Sequence, residues 1–174
     1  MGFKCIKMLI CILSALWLLS TAMFAGAAAI ELGEQTGRLT LGQGLLFYED
    51  ADSVLSIEQV HVLAENGAFK SWNKNTLNFG YSQSSYWVRI DLTSELSHDE
   101  RFFLEQDFSS VDHVDFYQLT NEGRFDLQIN GDRVPFSARS FKYHNHVFSF
   151  IVAKDEHHVI YLKLSSNGIL KTPL

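Results

Sequence analysis

Strict two-residue alternation narrows the folds open to this chain more than any other feature. In Tyr86-Trp87-Val88-Arg89-Ile90-Asp91-Leu92, Tyr86, Val88, Ile90 and Leu92 fall on one face, and Trp87, Arg89 and Asp91 on the other. A side-chain period of two belongs to a β-strand lying on a core. Phe102-Phe103-Leu104-Glu105, Val114-Asp115-Phe116-Tyr117-Gln118, Val147 to Val152 and His158 to Leu164 read as further strands. The last of these places Ile160, Leu162 and Leu164 together. Asn121-Glu122-Gly123 and Asn130-Gly131-Asp132 supply turns between them. Short strands recurring with polar or glycine turns predict an all-β fold, an antiparallel β-sandwich or barrel. Phe102, Phe116, Phe148, Phe150, Val88, Ile90, Leu162 and Leu164 are the expected core. One segment breaks the pattern: Ser56-Ile57-Glu58-Gln59 has a capping-box spacing before Val60 and Leu63, which predicts a short helix over Ser56 to Ala64.

The first thirty residues read as an address. Lys4 and Lys7 precede an uncharged run from Met8 to Ile30, and Ala25-Gly26-Ala27 closes it with small residues. That is the pattern of a secretory signal peptide over 1–27, cleaved after Ala27 and delivering the rest to the periplasm. The alternative is an uncleaved anchor, since the run is long enough to span a bilayer. Both cysteines, Cys5 and Cys11, fall inside this segment, so the exported part has no disulfide to rely on. Its organisation is expected to be a lead-in over 28–37, the β-sandwich over 38–168 and an exit linker over 169–174.

Charge excludes one class of partner. The 174 residues carry 20 acidic against 14 basic side chains, a formal charge of −6, the wrong sign for nucleic acid. The seven histidines prompt a test for metal. His144-Asn145-His146 would put two rings on one side of a strand, with His157-His158 further on, but no cysteine is available to complete a structural zinc site. Solvated loop histidines are the plainer reading, and no metal or cofactor is expected. Gly80-Tyr81-Ser82-Gln83-Ser84 is one residue short of a nucleophile elbow, and a strand follows it where an elbow needs a helix. No Walker loop, dinucleotide fingerprint or paired-carboxylate spacing is present. The sequence therefore offers no enzyme.

From Asn78-Phe79-Gly80-Tyr81-Ser82 through Tyr86-Trp87-Val88-Arg89, the chain resembles the periplasmic sensor domain of bacterial seven-transmembrane receptors with diverse intracellular signalling modules. Phe47-Tyr48-Glu49-Asp50 with the capped helix resembles the family's opening. Phe102 to Glu105 and Val111 to Tyr117 are similar to its central strands. Gly131-Asp132-Arg133-Val134-Pro135-Phe136 with Arg139 is similar to its G-D-x-x-P-F-x-x-R segment, and Val159 to Leu164 with Thr172-Pro173-Leu174 to its last strand and exit.

That resemblance covers roughly residues 38–174. It implies a jelly-roll sandwich like a carbohydrate-binding module, followed in such receptors by seven membrane helices and an intracellular output module. The chain stops at Leu174, which leaves open an excerpt of a receptor and a free-standing relative.

The implied function is non-enzymatic sensing of a small molecule, a carbohydrate or a carboxylate, that biases the receptor's own membrane region. Aromatic platforms suit sugars and the guanidinium fork suits carboxylates, so Trp87, Arg89, Tyr117, Arg139 and Tyr143 are the expected ligand residues. Each has a structural alternative: Trp87 as packing between sheets, and Arg89, which shares a strand face with Asp91, as an ion pair with a neighbour across strands. The competing function is a protein-interaction module, for instance a homodimer with no small ligand.

Overall fold

The structure, a computed structural model, describes residues 29–174, and the expected signal segment with its cleavage point lies outside them. The elements in chain order are β1 (Ile30–Gly33), β2 (Leu46–Asp50), α1 (Ile57–Glu65), β3 (Lys70–Ser71), β4 (Leu77–Tyr81) and β5 (Ser85–Glu95). There follow β6 (Glu100–Gln106), β7 (His113–Leu119), β8 (Phe125–Asn130), a 3-10 turn over Phe136–Ala138, β9 (His146–Val152), β10 (His157–Ser165) and β11 (Ile169–Thr172). The alternation at Tyr86–Leu92 becomes the eleven-residue β5 at the centre of the principal sheet. That sheet runs β3-β2-β5-β10-β7-β8, with β1 beside β5 as its one parallel pairing. The pairs β11-β4 and β6-β9 form the opposing layer. The fold is an all-β sandwich, as the alternation predicts.

Register shows why the inner face holds. Val88, Leu162 and Phe116 lie side by side across β5, β10 and β7, all fully buried. The Phe116 ring stacks on Phe148 of β9 at 5.2 Å and 13°. Each such side chain contributes about 1.5–3 kcal/mol by leaving water. The outer face of the same sheet is apolar in its turn, because α1 roofs it. Ile57, Val60 and Ala64 of the helix pack with Phe69, Trp87, Val159 and Tyr161. The capping box is present: Ser56 Oγ accepts from the Gln59 N–H, and Gln59 Oε1 accepts from the Ser56 N–H. Trp87 thus packs beneath a helix and not between the sheets.

Strand β8 inverts the usual pattern. Its polar side chains turn inward to bridge to β9, where Gln128 Nε2 donates to the Ser149 carbonyl at 2.8 Å and Asn130 bonds His146. Leu127 and Ile129 consequently point outward, 48% and 57% exposed, on the edge strand of the sheet. The segment after residue 168 is a strand, pairing with β4 through Leu170↔Gly80. Among the described residues no helix is long and apolar enough to cross a membrane.

Candidate functional site

Three of the five expected ligand residues share one surface. Arg89, Tyr161 and Tyr117 lie in one row across β5, β10 and β7, and Trp87, Lys163 and Asp115 in the next. Trp87 and Tyr117 are 5.6 Å apart, centroid to centroid, and the Lys163 ammonium sits 5.1 Å from the Trp87 ring. Trp87 is fully buried, with no partner for its indole N–H among the described residues. Burial, followed by the charges of Asp115 and Glu58, pushes the Tyr117 phenol up to about 12. Burial also raises the Asp115 carboxyl, against the pull of Lys163 and His113.

Arg89 is already occupied. Its Nε and Nη2 donate to the two carboxylate oxygens of Asp91 at 2.8 Å each, and Nη1 to Glu65 at the end of α1 at 2.6 Å. Burial disfavours its charge, but Asp91, Tyr161 and Glu65 outweigh it and raise the pKa overall. A ligand carboxylate would have to displace Asp91. Arg89→Ala is expected to cost about 1–3 kcal/mol, the value of charged hydrogen bonds. The mutant leaves Asp91, 10% exposed, with His157 as its remaining ionic partner. Urea unfolding of the variant beside Arg89→Lys checks this: lysine restores charge but not the two-pronged bond.

Arg139 and Tyr143 lie elsewhere, on the connection from β8 to β9. The Arg139 guanidinium is 8% exposed and donates from Nη2 to the Gly131 carbonyl at 2.9 Å, while Nε has no partner among the described residues. Next to it, His146 is fully buried; Nδ1 faces Asn130 Oδ1 at 3.1 Å and Nε2 has no hydrogen-bond partner among the described residues. Tyr143 is 45% exposed against the His144 ring. His144 and His146 therefore do not converge. No group of three or more His, Cys, Asp or Glu side chains among the described residues is arranged to hold a metal. Ser82 leads directly into β5 and its Oγ accepts from the Ser84 N–H.

Burial, reinforced by the Arg139 charge, lowers the His146 pKa against weaker upward pulls from Ser109 and Asp132. A depressed imidazole stabilises the fold above the unfolded value of about 6.5, and that stability is lost as pH falls through the lower folded value. His146→Gln should flatten this acid limb. Denaturant midpoints at pH 7.5 and 5.5 check it, with the wild type losing more on acidification than the variant.

A separate opening involves none of the five. It is a cavity of about 490 Å³ between the two layers, within the range typical of small-molecule sites. Ile90, Leu92 and Ile160 of the principal sheet form one wall; Phe102, Leu104 and Phe150 of the opposing layer form the other. The β1 residues Ile30 and Leu32 and the segment 36–41 close one side, and Pro173 and Leu174 one end. Two backbone bonds anchor that end: the Leu41 N–H donates to the Leu174 carbonyl at 2.7 Å and the Asp107 N–H to the Pro173 carbonyl at 2.9 Å. Sequence reasoning assigned several of these residues to the core, because a cavity wall and a packed core share the same alternation. Only the meeting of six distant segments reveals the gap.

A family model, 7TMR-DISMED2, described as 7TMR-DISM extracellular 2, matches residues 42–174. No curated protein matches the chain.

Proposed function

The chain belongs to the 7TMR-DISM extracellular 2 family, extracellular sensor domains of seven-transmembrane receptors, and from that premise we propose that it is a non-enzymatic periplasmic module that senses a small molecule. One observation carries the reading: the inter-sheet cavity is walled both by the buried core and by Pro173 and Leu174. An occupant there touches the two residues at the exit end of the fold, which in a receptor of this kind leads toward the membrane region. A ligand shifts a receptor equilibrium only by binding its two states differently. Contact with the exit segment supplies a place for that difference to arise.

A second reading has its own support. Strand β8 presents Leu127 and Ile129 on an open sheet edge, and such edges template pairing with another chain. That favours a homodimer or another protein contact.

Thermal unfolding at two protein concentrations tenfold apart, against sugars, organic acids, amino acids and aliphatic alcohols, separates the two. Sensing predicts a midpoint independent of protein concentration and raised by one chemical class, by about 2.7 kcal/mol of stability at 100 times the dissociation constant. A midpoint that climbs with protein concentration and ignores every small molecule would favour the protein contact and sink the sensing proposal.

A further inference from the structure

We infer that the inter-sheet cavity takes a neutral amphiphile: an aliphatic or aromatic body with an uncharged head that both donates and accepts hydrogen bonds. The inference rests on the sensing reading above and adds the ligand class. The body follows from the lining, where Leu39, Phe102 and Phe103 present reachable apolar surface above the buried side chains of Ile90, Leu92, Leu104, Phe150 and Ile160. Apolar surface of this kind rewards an apolar occupant by removing both from water.

The head follows from the rim, which carries both signs of charge within one strand's length. Arg38 and Arg101 stand among Glu100, Glu105 and Asp107. Arg38 makes only a 3.5 Å contact with Glu105 and is 79% exposed. Glu105 and Asp107 share the Asn145 side-chain amide, 2.6 Å from each. Three carboxylates and two guanidinium groups nearly cancel, so neither a carboxylate nor an ammonium head finds a strong net attraction to offset the loss of its hydration. A neutral donor–acceptor head gives up no ionic hydration on entry.

Backbone geometry adds a second argument. Six consecutive residues, Glu100 to Glu105, line the cavity, which only a strand seen edge-on can present, because alternate side chains point to opposite faces. Strand β6 pairs with β9 along its other edge, so the edge facing the cavity presents backbone N–H and C=O groups that need partners. Of these, the neighbouring Asp107 N–H is already satisfied by Pro173. An uncharged head of mixed character can pair with both kinds of group, whereas a simple ammonium only donates and a carboxylate only accepts.

Isothermal titration of the protein with 1-octanol, octanoate and octylammonium, which share one tail, tests this. The expected result is saturable one-to-one binding of 1-octanol, at least tenfold tighter than either ion. Leu39→Trp, a bulky plug at a 46% exposed position lining the cavity, should weaken that binding at least tenfold while leaving the unliganded melting transition in place. Thr40→Trp serves as a second plug if the first variant loses its transition. Equal or tighter binding of an ion, or 1-octanol binding untouched by both plugs, overturns the inference. No binding of 1-octanol while a sugar or amino acid raises the melting point overturns the ligand class but leaves sensing intact. No response to any small molecule removes both.

Discussion

Gly131→Ala is expected to cost about 3–5 kcal/mol, placing it among the exceptional single substitutions, and to lower the melting temperature by roughly 10 °C or more. Gly131 has φ +132°, a conformation that side-chain-bearing residues rarely adopt. A Cβ there would also lie 2.3 Å from the Asp112 carbonyl oxygen and 2.8 Å from the His113 Cα. Both obstacles are backbone, so neither can swing aside. The close approach is used structurally: the Asp132 N–H donates to the Val111 carbonyl, the Arg133 N–H to that of Asp112, and Arg139 clamps the Gly131 carbonyl. Gly123→Ala is the internal control. Its φ is +75°, but nothing lies within 4 Å of the added Cβ, so only the backbone cost of about 1–2 kcal/mol applies. Chemical denaturation of the two variants side by side checks the argument. Equal losses would show that the contact with Asp112 and His113 carries no weight.

Trp87→Ala is expected to be as damaging, about 3–5 kcal/mol, the range for emptying a large buried aromatic site. The indole fills the space between the principal sheet and α1, touching Tyr117 and lying beneath Lys163. Its loss leaves Val60 and Phe69 facing a cavity beneath the helix. Trp87→Phe should cost far less, because the buried indole N–H has no partner among the described residues to lose. Urea midpoints and far-ultraviolet circular dichroism report both variants. A Trp87→Ala protein of near-native stability would mean that α1 does not depend on this face of the sheet, and the layered description would fail with it.

The sandwich was legible in the sequence where alternation coincides with burial on one side. Strands β5, β7, β9 and β10 were readable for that reason, and Val88, Phe116, Phe148 and Leu162 are buried where the period placed them. The helix was readable through its cap. Strand β8 was not: Phe125 to Asn130 alternates, but its inward residues are Gln128 and Asn130, whose partners Ser149 and His146 are distant in sequence. Strand β1 escaped because four residues paired in parallel to β5 carry no turn signal of their own.

Candidate site residues were harder to read. Arg89 was expected to pair with a charge on a neighbouring strand, whereas the structure joins it to Asp91 of its own strand in a two-pronged bond. The position of Arg139 inside the loop it anchors depends on Gly131 approaching Asp112, which sequence spacing does not express. The inter-sheet cavity left no sequence mark at all. Its walls are apolar residues in strand alternation, identical in pattern to residues that pack against one another.

The claim that an occupant of this cavity is felt at the exit end has a direct readout in two amide protons. The Leu41 N–H donates to the Leu174 carbonyl and the Asp107 N–H to the Pro173 carbonyl, so their exchange with deuterium reports how firmly that end is held. Saturating 1-octanol, or whichever compound raises the melting point in the ligand panel, should slow exchange at Leu41 and Asp107 several-fold while leaving the Val60 amide in α1 unchanged. Unaltered exchange at both positions, with protection appearing on α1 or on β8, would contradict the account and move the sensing surface to the other side of the sheet.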